Sequence, residues 1–190
     1  SLDMFKRYQR NEDGTGAWPW EHQALTRARF CAGDREIGEA FERERAEILC
    51  LPRIKEEVFT NVVDMRQKML EGHANPTRLF DLKHDRGGMV DVEFAVQALV
   101  LAYSHEHPEL INNFGNIRLL SMAADAGLIE PVVAERAAAA YRRYRAIQRT
   151  IRLERGDIPA RVDFAMVADE IAAVKALWVA IFGDEGPQRG

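Results

Sequence analysis

Lys83, His84 and Arg86 precede a Gly87-Gly88 pair, and Asp91 and Glu93 follow it at the start of a strongly apolar stretch. A helix start exposes backbone N–H groups that have no partner inside the helix, and it carries partial positive charge. Adjacent glycines let a phosphate or another backbone come close. Three basic side chains on one short loop add to the field. The combination suits anion binding, phosphate above all. A second reading stays open: a Gly-Gly turn that only starts a buried helix, since short glycine motifs are common.

Other chemistry is sparse. There is no G-x-S-x-G, no Walker loop and no dinucleotide fingerprint. Asp91 and Glu93 are two apart on a helix, so their side chains diverge by roughly half a turn. They cannot both hold one Mg²⁺ ion without further ligands. His105 and His107 lack a supporting cysteine and read as surface histidines, so no metal site is expected. Arg142, Arg145, Arg149 and Arg152 recur at steps of three or four and share one face. That face is either simply solvated or docks an acidic partner.

The elements that must position these residues are helical. Apolar residues at three- and four-residue steps predict helices over 2–10, 21–31, 35–49, 52–71, 89–105, 116–126, 131–153 and 164–182. Asp34 is expected to cap the third, Gly72 to end the fourth and Gly127 the sixth. No strand is expected. The stretch 89–105 is apolar on nearly every side, which places it centrally in an all-α helical bundle. Glu93 and Gln97, four apart, interrupt it on one face.

Composition narrows the class. With 47% hydrophobic residues in 190, the chain can bury one sizeable core or two small ones. A net charge of −4 argues against nucleic acid as a partner, and no apolar run approaches a membrane span. Cys31 and Cys50 are too few for a disulfide framework and read as reduced thiols in a cytoplasmic protein. Residues 1–10 carry no apolar secretory core and read as though cut from something longer.

Three segments carry a family resemblance. Trp18-x-Trp20-Glu21-His22-Gln23-Ala24-Leu25-x-Arg27-Ala28-Arg29 resembles the W-E-x-x-A-L-x-[KR]-A-R segment of the glutamine synthetase adenylyltransferases. Asp81-Leu82-Lys83-x-x-x-Gly87-Gly88-x-x-Asp91-x-Glu93-Phe94-x-x-Gln97 resembles that family's second hallmark. Asn116-Ile117-Arg118-Leu119-Leu120, followed by Ala126-Gly127-Leu128-Ile129, is similar to a third. A shorter form of the second motif also occurs in the related PII uridylyltransferases.

The resemblance implies a piece of a large bifunctional enzyme in which a nucleotidyltransferase lobe precedes a helical domain, twice over. One half adds AMP to a tyrosine of glutamine synthetase, and the other removes it by phosphorolysis. The lobe's G-S sequence and paired aspartates do not occur in these 190 residues. The chain then reads as the helical domain of the adenylylating half. Residues 1–33 would be linker helices packing on the lobe, 34–183 the bundle and 184–190 a disordered tail. ATP and Mg²⁺ would serve the full-length enzyme, with neither bound tightly here. Lys83, Gly87, Gly88, Arg27 and Arg29 would face nucleotide or the lobe's edge, with Asp91, Glu93 and Glu21 in support. Expected partners are glutamine synthetase, PII protein and the lobe, and no AMP transfer is expected from this piece alone. The alternative is a non-catalytic module that binds PII, glutamine or glutamine synthetase. A uridylyltransferase-like piece is a third option, disfavoured by the tryptophan-rich first segment.

Overall fold

The computed structural model describes residues 1–11, 14, 16–112 and 114–183; the tail expected at 184–190 lies outside them. The described residues are predominantly helical: α1 (Leu2–Gln9), α2 (Pro19–Leu25), α3 (Arg35–Leu49), α4 (Lys55–Gly72), α5 (Met89–Tyr103), α6 (Asn116–Asp125), α7 (Pro131–Arg155) and α8 (Ala168–Phe182). The all-α expectation holds. One correction concerns strands: β1 (Phe80–Asp81) pairs antiparallel with β2 (Arg161–Val162), Phe80 opposite Val162. Two residues per strand carry no readable alternation, so this pair has no period to detect.

The chain divides into two compact units, Ser1–Val62 with Gln97–Asn113, and Val63–Val96 with Phe114–Gly190. The division falls within α4 and α5, so each of these helices contributes to both units. Along α5 only Glu93, Gln97 and Tyr103 are partly exposed. The stretch expected to be central is indeed buried nearly all round.

In the first unit, α1 and α2 pack on α3. Asp34 caps α3 by accepting from the Ile37 N–H at 3.0 Å, as its position predicts. Arg45, buried on α3, donates to the carbonyls of Leu25 (3.1 Å), Thr26 (3.0 Å) and Ile111 (2.9 Å). It thereby satisfies carbonyls that the end of α2 leaves without helical partners. Arg53 does the same for α3, donating to Ile48, Leu49 and Leu51. Trp18 and Trp20 stack with ring centroids 5.2 Å apart, and both indoles stay partly exposed.

In the second unit, α6 packs on α7 and α7 packs on α8. Gly127, at φ +72°, turns the chain out of α6 as expected of a helix-ending glycine. Trp178, Leu177 and Val174 of α8 are fully or almost fully buried, together with Tyr144 of α7.

Candidate functional site

The loop between β1 and α5 is held by hydrogen bonds at almost every residue, all within the second unit. Asp81 Oδ1 accepts from the N–H groups of Lys83 (2.9 Å) and His84 (3.0 Å). Asp85 Oδ2 accepts from the Asp81 N–H and from the Asn75 amide, each at 2.8 Å. The loop carbonyls of Asp85, Leu82 and Lys83 take the N–H groups of Gly88 (2.9 Å), Met89 (2.9 Å) and Val90 (3.1 Å). The N–H groups that open α5 are therefore already satisfied by the chain's own backbone.

The Gly87 N–H has a different acceptor, Asp91 Oδ2 at 2.6 Å. A residue of the first helical turn reaches back over the helix start, in the manner of a capping box. The other oxygen of Asp91 receives Arg66 Nε at 2.6 Å and lies 3.5 Å from Arg86 Nη1. Arg66, only 1% exposed, also donates to the His84 carbonyl at 2.7 Å. Arg86 in turn lies over the Trp178 ring, 4.4 Å from its centroid. A carboxylate this deeply buried persists because three donors meet it.

Glu93 points elsewhere, as its spacing from Asp91 requires. Its Oε1 accepts from the Tyr141 hydroxyl at 2.9 Å. Burial and then the Glu93 carboxylate push the Tyr141 hydroxyl up to about 12. Three residues further along α7, Tyr144 donates to the Gly87 carbonyl at 2.9 Å, and its own pKa is raised by burial.

The two glycines allow close approach to protein, not open space. A Cβ on Gly87, at φ +89°, would lie 2.9 Å from Ile171 Cγ2 and 3.2 Å from the Ile171 carbonyl oxygen. A Cβ on Gly88 would meet the carbonyl oxygens of Asp85 and Leu82 at 2.9 Å each. Lys83 is the residue of this loop that stands exposed.

Glu21, Arg27 and Arg29 belong to the first unit. Glu21 Oε1 caps α2, accepting from the Trp18 N–H at 3.1 Å and the Tyr8 hydroxyl at 2.8 Å. Arg27 and Arg29 are exposed just beyond α2. Within the second unit, Lys83, Gly87, Gly88, Asp91 and Glu93 do lie on one continuous stretch of loop and helix. The residues that hold that stretch, Arg66, Tyr144 and Trp178, escape the sequence reading as site residues. Arg66 carried a signal: it sits four residues after Val62 and four before Leu70, where an apolar side chain would continue the buried stripe.

Residues 63–174 match the family model described as GlnD PII-uridylyltransferase, and residues 1–44 match the one described as Glutamate-ammonia ligase adenylyltransferase. The first of these matches runs over more than half of the chain, which belongs to that family. The tryptophan-rich first segment falls inside the adenylyltransferase match, and the glycine loop inside the other. Among curated relatives, the chain is 52% identical over 184 residues to the bifunctional glutamine synthetase adenylyltransferase/adenylyl-removing enzyme of Burkholderia mallei, covering 96% of this chain. The Ralstonia nicotianae enzyme of the same name is 55% identical over 182 residues, and that of Nitrosomonas europaea 48% over 196. Each of those two matches also covers 96% of this chain. The chain spans about a fifth of these relatives, 19–21% of their length.

Two partly buried histidines are expected to make stability depend on pH. His84 stacks on His73 with ring centroids 4.4 Å apart, and burial lowers its pKa despite Asp81 nearby. In the first unit His22 is likewise lowered, by burial first, while its Nε2 meets the Gln9 carbonyl at 2.9 Å. A lowered histidine binds fewer protons folded than unfolded, so stability rises with pH through this window. Below the ordinary value of about 6.5 the unfolded chain takes up protons first. The urea midpoint is therefore expected to fall between pH 7.5 and pH 5, and His84→Gln with His22→Gln to flatten that slope. An unchanged slope in the double variant would refute the assignment.

Proposed function

We propose that this chain is the helical support of an enzyme that transfers AMP to glutamine synthetase and, in its other half, removes it. The reading rests on the 52% identity to a bifunctional glutamine synthetase adenylyltransferase that runs over 96% of the chain. Residues 1–33 pack on a nucleotidyltransferase lobe and 34–183 form the companion domain, in the adenylylating half. The setting is the cytoplasm, with glutamine synthetase as substrate and PII protein as regulator.

ATP with Mg²⁺ supplies the transferred group when bound to the whole enzyme. The described residues do not by themselves fit the metal: no three His, Cys, Asp or Glu cluster in a metal-holding way among them. Asp91 is committed to Arg66, Arg86 and the Gly87 N–H. The Mg²⁺ ligands accordingly come from the lobe. Lys83 offers an exposed ammonium to the nucleotide phosphates or to the lobe's edge; in the first unit Arg27 and Arg29 carry exposed guanidinium groups suited to the same kind of contact. Gly87 and Gly88 let the loop close tightly enough to present Lys83 on a rigid base. Asp91 and Glu93 hold that base through Arg66 and Tyr141, and in the first unit Glu21 supports the α2 start that precedes Arg27 and Arg29.

Two measurements test this. Incubated with labelled ATP, Mg²⁺ and glutamine synthetase, the isolated chain should transfer no label; clear labelling would overturn the supporting role. In the full-length enzyme Lys83→Ala should lower adenylylation about tenfold with an unchanged melting temperature, as expected for loss of one charge that stabilises the reacting phosphates. A wild-type rate would leave Lys83 without a part in the reaction.

A further inference from the structure

The arginine row on α7 has no place in the supporting role above. Counted at 100° per residue, Arg142, Arg145 and Arg149 fall on the same arc of about 80° as Pro131, Glu135 and Ala138. Pro131, Glu135, Ala138 and Arg142 line a groove of about 650 Å³ between α6 and α7. The basic row is therefore the continuation of the groove's own wall.

The groove is polarised along its length. Its apolar lining includes Ile117, Ala134 and Ala138, the two alanines buried. Because α6 and α7 are joined by a short turn, they run antiparallel, and residues near the turn share one end of the groove. That end carries Asp125 and Glu135. The other end carries Arg118 and Arg142, with Arg145 and Arg149 beyond it on α7. Seven residues separate Arg118 from Asp125, about 10 Å along a helix axis. All six charged side chains are exposed, and none is in an ion pair among the described residues. Phe114, 60% exposed, stands at the rim beside Arg118.

We infer that this groove seats an amphipathic helix of a partner protein, with a basic first turn and an acidic second half. The alanines of the lining leave room for an apolar stripe to settle between α6 and α7, against Ile117. The partner's cation meets Asp125 and Glu135, and its carboxylates follow Arg118, Arg142 and Arg145. The polarity selects this occupant over an anionic membrane, which the two acids at one end would repel, and it sets the direction in which the helix lies.

The probe is a synthetic helix about four turns long, with leucines at three- and four-residue steps, lysines in its first turn and glutamates in its last two. Titration calorimetry with the 190-residue chain should give one-to-one binding. Arg118→Glu with Arg142→Glu should weaken it at least about 30-fold, as expected when two charge contacts become repulsive. Ser121→Trp, an exposed position within the groove, should weaken it comparably without changing any charge. Circular dichroism confirms that each variant keeps its helices. The inference falls if the probe does not bind, if a charge-swapped probe binds equally, or if neither variant matters. It falls too if the same arginines instead mediate self-association in sedimentation or adsorption to phosphatidylserine vesicles.

Discussion

Asp91→Ala is expected to lower the unfolding free energy of the second unit by about 3–5 kcal/mol, the cost of leaving a buried ion-pair partner uncompensated. Arg66 is 1% exposed and Asp91 1% exposed, so neither can recruit water in place of the other. The loss is compounded at the Gly87 N–H, whose acceptor is the same carboxylate. Arg66→Ala should fall in the same range, since it also abandons the His84 carbonyl. With whole domains stable by only about 5–15 kcal/mol, either change brings the unit close to unfolding at room temperature. Urea denaturation followed by circular dichroism measures it. A further arm separates charge from packing: Arg66→Met with Asp91→Leu should be less destabilised than either single alanine variant, because no lone charge remains. A loss under about 1 kcal/mol for Asp91→Ala would mean the ion pair carries none of this load.

Gly87→Ala is the second large effect, at about 2–3 kcal/mol from the left-handed backbone and the lost clearance together. The added Cβ would stand 2.9 Å from Ile171 Cγ2 and 3.2 Å from the Ile171 carbonyl oxygen, so α8 must shift or the loop must open. Either response pulls on the Gly87 carbonyl that Tyr144 holds at 2.9 Å. The chain alone, with no nucleotide present, should show the full loss in thermal unfolding. A phosphate cradle would behave otherwise: its glycine could be substituted with little effect on the free protein and a large one on ligand affinity. A melting temperature within about 1 °C of wild type would restore the cradle reading, since a loss of a few kcal/mol moves it by several degrees.

The helices were legible because each buries a face, and a 3.6-residue period survives any tertiary arrangement. Arg35–Leu49 could be bounded to the residue, since Asp34 caps one end and the Leu51-Pro52 step closes the other. The second and last helices could not: α2 stops at Leu25, six residues short of the expected end, and Phe164–Met166 forms a separate 3-10 turn with the same apolar spacing as the helix it precedes. The glycine loop was found from residue types alone, and the divergence of Asp91 from Glu93 followed from their spacing. The destination of the loop's N–H groups was not available. Whether a helix start faces a ligand or its own chain depends on loop carbonyls, which have no sequence identity. Arg66 was hidden for a related reason. A single arginine on an amphipathic helix reads as part of the polar face unless its register with Val62 and Leu70 is followed.

Trp18 and Trp20 lie stacked and partly exposed in one unit, whereas Trp178 is sealed in the other beneath the Arg86 guanidinium. The chain has no further indoles. Its intrinsic emission is therefore a two-channel signal: a red, quencher-accessible component from the stacked pair and a blue, shielded one from Trp178. Progressive acrylamide quenching resolves the two without any label, so loosening of either half can be timed separately from the other.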